Sequence, residues 1–210
     1  MKLKKKLEAY CEQQSTPPSL LLQELERETH LKTLAPQMLS GPLQGRVLSL
    51  LSHLVQPKQV VEIGTFTAYA TICMAEGLAP GGTIHTIEAN QELEYLIRKY
   101  IRKAEMEDRI QLHIGQAQDI IPTLEGAFDM VFIDAGKQEY LQYYELIIDR
   151  MNPGGLILAD NVLWSGKVLN PGEDQDAQVL HQFNQIVLQD SRVEQLILPL
   201  RDGLMIARKL

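Results

Sequence analysis

The chain is poor in cysteine and tryptophan, with only Cys11, Cys73 and Trp164 among its 210 residues. Two distant cysteines without metal-binding spacing argue against a disulfide framework and against a zinc site. No apolar run approaches the roughly 18 residues that a membrane-spanning helix needs. The composition therefore predicts a protein of a reducing, cytoplasmic compartment.

Positive charge is also scarce, because 20 lysines and arginines face 27 aspartates and glutamates, leaving a formal net charge of −7. This balance argues against nucleic-acid binding through bulk positive charge. The first residues are an exception, with lysines at positions 2, 4, 5 and 6. We interpret them as a solvated helix start, and the alternative is a basic arm that touches an anionic partner. Polar residues follow them, so this segment is not a secretion signal.

The chain length fits a single domain that buries about 70% of its unfolded surface. Prolines divide the first part of the chain into short pieces that read as helices and turns. The pattern changes after Pro57, where apolar runs begin to alternate with helix-compatible segments. We therefore predict one domain over 1–210, with a helical prelude over 1–56 and an α/β core over 57–210.

Several apolar runs have no polar face, which is typical of parallel strands covered by helices on both sides. The predicted strands are 59–63, 83–88, 110–114, 130–133, 156–159, 193–200 and 204–207. The last two are joined by the short turn Arg201-Asp202-Gly203, so we expect them to be antiparallel. The pattern predicts a Rossmann-like α/β fold, an open sheet of about seven strands that is mostly parallel with an antiparallel C-terminal hairpin.

The first predicted strand ends at Gly64, and a helix-compatible segment begins at Ala68. Glycine permits a sharp turn and a close approach of the backbone to a ligand. Phe66 and Tyr69 stand where the dinucleotide-binding fingerprint has glycines, which argues against a nicotinamide or flavin cofactor. Glu88 ends the second strand and suits the hydroxyls of a ribose, although a solvated strand-end carboxylate is the alternative.

Asp134, Asp160 and Asn161 follow two further apolar strands. Their carboxylate and amide oxygens suit Mg²⁺, Mn²⁺ or Ca²⁺ but not zinc. The alternative is that they serve only as turn or helix-capping residues. Lys137 lies three residues after Asp134, and without its flanking motif it would be a surface lysine paired with Glu139.

Taken together, these segments resemble the cation-dependent class I O-methyltransferases, the family of catechol and caffeoyl-CoA O-methyltransferases. The resemblance extends from about Met38 to Lys209 and depends on several motifs in the same order at successive strand ends. The motifs are Val61-Glu62-Ile63-Gly64-Thr65-Phe66-Thr67-Ala68-Tyr69, Glu88, Gly115-Gln116-Ala117, Asp134-Ala135-Gly136-Lys137 and Asp160-Asn161-Val162-Leu163-Trp164. The resemblance implies S-adenosylmethionine as the methyl donor.

The resemblance also implies a role for each matching residue. The cofactor site would comprise Glu62, Gly64 and Thr65 at the methionine end, Ser40 and Ala70 near its amino-acid moiety, Glu88 at the ribose, Ala117 at the adenine, and Asp134. Asp134, Asp160 and Asn161 would hold a divalent cation, with Mg²⁺ expected and Mn²⁺ or Ca²⁺ as alternatives. Lys137 would be the catalytic general base.

The chain departs from the family pattern at three positions. Ala68 stands where the family usually has glycine, and Ala70 stands where it often has serine. Gly136 stands where many relatives have aspartate. Trp164 would either stack on an aromatic acceptor or anchor its own loop. We expect three helical tyrosines to pack rather than act in catalysis: Tyr140, Tyr143 and Tyr144. We assign no role to the five histidines, which are His30, His53, His85, His113 and His181.

The sequence thus predicts a magnesium-dependent O-methyltransferase that transfers a methyl group by SN2 attack of a small catechol-like aromatic hydroxyl. The resemblance further implies a homodimer, and we expect no membrane partner. One alternative is a methyltransferase acting on a hydroxylated tRNA base, against which the net charge of −7 weighs. Another is a non-catalytic cofactor-binding protein, which would not need Asp134, Lys137, Asp160 and Asn161.

Overall fold

The computed structural model describes residues 2–210, except for the side chains of Lys2, Lys4 and Lys5. The lysines interpreted as a solvated helix start lie in the first turns of the first helix, but the side chains of Lys2, Lys4 and Lys5 lie outside the described residues, and so does the alternative of a basic arm. The helices are α1 (Lys2–Gln13), α2 (Leu20–Lys32), α3 (Gly41–Val55), α4 (Tyr69–Ala75), α5 (Glu94–Lys103), α6 (Ala117–Ile120), α7 (Tyr140–Ile148) and α8 (Gln175–Gln189). None of the helices in the described range has the length and apolarity to cross a membrane.

The strands form one sheet with the order β3-β2-β1-β4-β5-β7-β6. They are β1 (Gln59–Ile63), β2 (Thr83–Glu88), β3 (Ile110–Ile114), β4 (Phe128–Ile133), β5 (Met151–Ala159), β6 (Val193–Leu198) and β7 (Leu204–Lys209). The first five strands are parallel, and β7 runs antiparallel to both β5 and β6. The predicted Rossmann-like fold is confirmed, including its seven strands and antiparallel C-terminal hairpin.

Several predicted element bounds differ from the structure. Strands β4 and β5 begin earlier than predicted, at Phe128 and Met151, and β7 ends later, at Lys209. Strand β6 ends at Leu198, which pairs with Leu204, and not at Leu200. Pro199 follows it and has no N–H to continue the ladder. Helix α4 ends at Ala75 and not near Ala79, because the chain turns at a glycine, Gly77, that packs against the backbone of α3.

Each face of the sheet is covered by its own apolar cluster. One cluster joins the sheet to α2, α3, α4 and α5, and its large buried members include Leu48, Met74 and Tyr100. The opposite cluster joins the sheet to α6, α7 and α8 around Phe128 and Phe183. Both faces of the central strands are therefore buried, so that their polar residues concentrate at the strand ends.

The strand order reverses between β1 and β4, which are neighbours in the sheet although β2 and β3 lie between them in the chain. In open α/β sheets the crevice beyond the carboxyl ends of the strands at such a point is the usual ligand site. Gly64 and Asp134 are the first residues after these two strands. The topology therefore brings the two predicted halves of the site together.

Ala68, one of the departures from the family pattern, precedes α4 with a φ of 72° and is fully buried. This left-handed conformation costs a residue with a Cβ about 1–2 kcal/mol, whereas glycine adopts it freely. The chain therefore carries local backbone strain where a glycine would carry none.

We predict that Ala68→Gly changes the free energy of unfolding by less than about 1 kcal/mol, because relief of strain offsets the lost buried methyl group. Ala75→Gly is the matched control, since Ala75 is equally buried but lies within α4. That control should lose about 2 kcal/mol through the lost methyl group and poorer helix propensity. Urea unfolding of both variants checks this, and equal losses would contradict the strain at Ala68.

Candidate active site

A cavity of about 1520 Å³ opens beyond the carboxyl ends of the parallel strands. It exceeds the roughly 300–1,000 Å³ typical of a pocket for one small ligand. Its lining includes Ser40, Gly64, Thr65, Ala70, Glu88, Ala117, Asp134, Lys137, Asp160 and Asn161. The cavity thus brings together every residue predicted for the site except Glu62.

Gly64 shapes the floor of the cavity where β1 ends. Its φ is 97°, and a Cβ built there would lie 2.0 Å from the carbonyl oxygen of Asp134. The N–H of Gly64 donates to the carbonyl of Ile87 at 2.9 Å, which ties the turn to β2. A side chain at this position would separate β1 from β4, so the turn requires glycine.

Glu88 lies at the cavity wall and is 9% exposed. Its Oε2 accepts a hydrogen bond from the N–H of Phe66 at 2.7 Å, and its Oε1 accepts one from the N–H of Asn90 at 2.8 Å. An ionised carboxylate has about four acceptor sites. Both oxygens therefore keep capacity for a ligand hydroxyl while the backbone bonds fix the carboxylate plane.

Glu62 is fully buried and is not among the residues that line the cavity. Its Oε2 accepts hydrogen bonds from the hydroxyls of Thr71 and Thr86, whereas its Oε1 has no partner. Burial raises the pKa of this carboxyl to about 8, and the two threonine bonds oppose that shift. A direct contact of Glu62 with the cofactor stays a prediction. In the structure its side chain joins β1 to Thr71 of α4 and Thr86 of β2.

Asp134 and Asp160 follow adjacent strands, because Ile133 of β4 pairs with Ala159 of β5. Burial raises the pKa of Asp134 to about 6; the charge of Lys137 opposes this shift and that of Asp160 adds to it. The site therefore holds two carboxyl groups close enough to repel each other. A bound cation would relieve that repulsion.

The carboxylate of Asp160 is held from two sides. Gln44 of α3 donates from Nε2 to its Oδ2 at 2.9 Å, and the N–H of Asn161 donates to its Oδ1 at 2.8 Å. Asn161 has a φ of 61°, a conformation that asparagine tolerates better than most residues. Within residues 2–210 no group of three or more His, Cys, Asp and Glu could hold a metal. The predicted ligand set has only two carboxylates, Asp134 and Asp160, and its third oxygen is that of Asn161.

Lys137 lies between two acceptors at the start of the segment after β4. Its Nζ is 3.2 Å from Oδ1 of Asp134 and donates to the hydroxyl of Tyr140 at 2.7 Å. The side chain is only 10% exposed. The alternative interpretation of a surface lysine is therefore wrong, although its catalytic role stays a prediction.

The turn between β6 and β7 also reaches the cavity, which the sequence analysis missed. Arg201 donates to the carbonyl of Leu39 at 2.8 Å and to that of Ser40, both in the segment before α3. Asp202 accepts a hydrogen bond from the N–H of Ser165 at 2.5 Å. This one turn thus holds two walls of the cavity, and no local sequence pattern indicates contacts over such distances along the chain.

The fold and the cavity are those of a class I methyltransferase. A family model described as O-methyltransferase matches residues 12–210. The chain therefore belongs to this O-methyltransferase family, and the predicted family and enzyme class are confirmed.

Two relatives support the same assignment. A catechol O-methyltransferase of Niastella koreensis is 38% identical over 168 residues, covering 78% of this chain and 76% of the relative. Caffeoyl-CoA O-methyltransferase 1 of Eucalyptus globulus is 33% identical over 179 residues, covering 80% of this chain and 73% of the relative. The similarity thus spans most of both proteins.

Solved structures of similar proteins share the whole fold. SAH-bound methyltransferase PaMTH1 of Podospora anserina has a TM-score of 0.91 at 28% identity, covering 100% of this chain and 96% of that one. The O-methyltransferase of Bacillus cereus in complex with SAH has a TM-score of 0.90 at 29% identity, with 98% and 97% coverage. Both crystal structures thus contain SAH in the same fold.

The raised pKa of Glu62 predicts how stability depends on pH. Between its unfolded value near 4.5 and its native value of about 8, the native state retains a proton that the unfolded state loses. The stability contribution of this group therefore falls as the pH rises through that window. The loss amounts to at most about 1.4 kcal/mol per pH unit.

We expect Glu62→Gln to flatten the decline in unfolding free energy between about pH 7 and pH 8. Asp134, the other carboxyl group with a raised pKa, is already ionised in this range because its pKa is about 6. Urea unfolding of the ligand-free protein at several pH values measures the slope. Glu145→Gln, which changes an exposed glutamate of α7, should keep the wild-type slope. An unchanged slope in Glu62→Gln would contradict the proton assignment.

Proposed function

We propose that this protein transfers the methyl group of S-adenosylmethionine to a hydroxyl of a small catechol-like aromatic molecule, with a divalent cation bound. The observation that carries the proposal is the continuity of the cavity. A single space of about 1520 Å³ is lined both by Glu88 and by the group formed by Asp134, Lys137, Asp160 and Asn161. Donor and acceptor would therefore meet in one pocket.

The donor would occupy the part of the cavity between β1 and β3. Glu88 keeps acceptor capacity for the ribose hydroxyls, and Ala117 lines the same wall for the adenine. Ser40, Gly64, Thr65 and Ala70 line the region expected for the methionine end. The relatives solved with SAH support a donor of this chemical class. Because Ala70 has no hydroxyl, the hydroxyls of Ser40 and Thr65 would be those available to the amino-acid moiety.

Asp134, Asp160 and Asn161 fit a divalent cation because their oxygens are the ligands that Mg²⁺, Mn²⁺ and Ca²⁺ prefer. The raised pKa of Asp134 and the repulsion from Asp160 support the same assignment. Such a cation, when bound, would act as a Lewis acid that favours the ionised form of an acceptor hydroxyl. Gln44 would keep the carboxylate of Asp160 in place before and after binding.

Lys137 would remove the proton from the acceptor hydroxyl. The oxygen then attacks the methyl carbon, the bond from carbon to sulfur breaks, and the sulfonium becomes the neutral thioether of S-adenosylhomocysteine. Trp164 and Tyr143 line the same cavity and offer flat faces to an aromatic acceptor. Positioning the two reactants in one pocket would supply much of the rate enhancement.

A hydroxylated tRNA base is the alternative acceptor, supported only by the lysines near the N-terminus. The net charge of −7 weighs against it. A non-catalytic cofactor-binding protein is the second alternative, and the cluster of Asp134, Lys137 and Asp160 weighs against that. The predicted homodimer and cytoplasmic location, and the single domain over 1–210, stay predictions.

The acceptor and the cation can be tested together with labelled S-adenosylmethionine. We expect label transfer to catechols and caffeate-type phenols with Mg²⁺, loss of transfer with EDTA, and recovery when Mg²⁺ is restored. Bulk tRNA, with and without Mg²⁺, is the comparison. Transfer to phenols that survives EDTA would refute the cation, and transfer to tRNA alone would refute the small acceptor.

Two substitutions test the residue roles. Lys137→Ala should keep the affinity for S-adenosylhomocysteine but lower kcat by about 100-fold or more, because general-base catalysis contributes about 10²–10⁴-fold. We expect Mg²⁺ to raise the thermal unfolding temperature of the wild type, and Asp160→Ala should lose both this stabilisation and activity. Lys58→Ala, at an exposed lysine before β1, is the control. Wild-type turnover in Lys137→Ala would remove the base from the mechanism.

A further inference from the structure

Tyr140, the first residue of α7, is fully buried and does not line the cavity itself, but its hydroxyl contacts Lys137, which does. Its hydroxyl is 2.7 Å from Nζ of Lys137, 2.9 Å from the carbonyl oxygen of Asp160 and 3.3 Å from that of Ile133. It therefore connects the proposed base to the backbone of a proposed metal ligand. The sequence alone predicts only packing for this tyrosine, whereas its hydroxyl lies beside the proposed base.

The polarity of these hydrogen bonds follows from the atoms involved. A carbonyl oxygen can only accept, so the single hydrogen of the Tyr140 hydroxyl goes to the backbone, with the carbonyl of Asp160 the nearer acceptor. The hydroxyl oxygen is then left to accept from Lys137. Toward Lys137, the Tyr140 hydroxyl can therefore only accept a hydrogen bond.

This restriction matters for a lysine that acts as a base. A neutral amine has two N–H groups and one lone pair, and only the lone pair can take a proton. Oδ1 of Asp134 and the hydroxyl of Tyr140 are both acceptors within 3.2 Å of Nζ. If each acceptor receives one N–H, the lone pair occupies the remaining position on the nitrogen. Lys137 lines the cavity, so that the lone pair is available to an acceptor hydroxyl there.

The tyrosine ring is held rigidly enough to fix this arrangement. It packs edge-on against Phe183 of α8, with ring centroids 5.5 Å apart and an interplanar angle of 80°. Tyr144, one helical turn further along α7, makes a similar contact with Phe183 at 6.0 Å and 88°. Its hydroxyl, however, donates to Oδ2 of Asp190 and makes no contact with Lys137.

We propose that Tyr140 is a positioning residue that orients the lone pair of Lys137 toward the acceptor hydroxyl. The proposal rests on the proposed function, in which Lys137 removes the acceptor proton. Without the tyrosine oxygen, the lysine amine rotates about its terminal carbon bond and spends less time in the productive orientation. A long side chain regains considerable rotamer freedom when such a bond is lost.

The test compares Tyr140→Phe with Tyr144→Phe, which removes the hydroxyl of a similarly buried tyrosine from the same helix. We expect Tyr140→Phe to lower kcat for catechol by about 10- to 100-fold, part of what a general base supplies. The KM for S-adenosylmethionine and the Kd for S-adenosylhomocysteine should stay within about twofold, since the donor half is untouched. Tyr144→Phe should keep the wild-type kcat.

A nitro-substituted catechol separates positioning from a general structural effect. Its hydroxyl ionises near neutral pH, so it depends less on a base, and the defect of Tyr140→Phe should shrink. The ratio of the two turnover rates does not depend on the fraction of folded enzyme, so it stays informative if the variant is less stable. Thermal unfolding and S-adenosylhomocysteine binding report on folding independently.

A double-mutant cycle completes the test. Adding Tyr140→Phe to Lys137→Ala should cause no further loss, because the two residues act as one unit. Equal loss with both acceptors, or equal loss in Tyr144→Phe, would overturn the positioning role. A slow Lys137→Ala with a fully active Tyr140→Phe would refute this inference alone, whereas wild-type turnover in Lys137→Ala would refute the proposed base itself.

Discussion

The close approach of β1 and β4 at their carboxyl ends is the constraint on which the site depends. A Cβ at Gly64 would lie 2.0 Å from the carbonyl oxygen of Asp134, so the two strand ends meet only because Gly64 has no side chain. Their contact places the wall that carries Glu88 next to the pair of Asp134 and Asp160. Without it, the two halves of the cavity would not form one space.

The rest of the cavity is assembled around this contact by side-chain hydrogen bonds between distant segments. Arg201 holds the carbonyls of Leu39 and Ser40, and Asp202 of the same turn holds the backbone at Ser165. Gln44 of α3 reaches across to the carboxylate of Asp160. The helical prelude is therefore part of the cavity and not an appendage, because its end supplies one wall and one support.

Several features of the site are unfavourable for folding and are tolerated because their surroundings are fixed. Ala68 has a left-handed backbone, Glu62 has an unpartnered carboxyl oxygen in the interior, and Asp134 and Asp160 repel each other. Strain and buried charge tend to concentrate where a protein binds ligands. The three carboxyl groups lie at or next to the ends of β1, β4 and β5, and Ala68 ends the loop that joins β1 to α4.

The sequence by itself determined the fold class, most of the strand positions and the strand-end residues, because apolar runs, turn glycines and short motifs are local features. It also indicated Lys137 beside Asp134. Only the tertiary structure decided that Glu62 lies beneath the cavity, that Tyr140 contacts the lysine, and which distant walls Arg201 joins. Such contacts depend on packing between segments far apart in the chain, and no local pattern of residues encodes them.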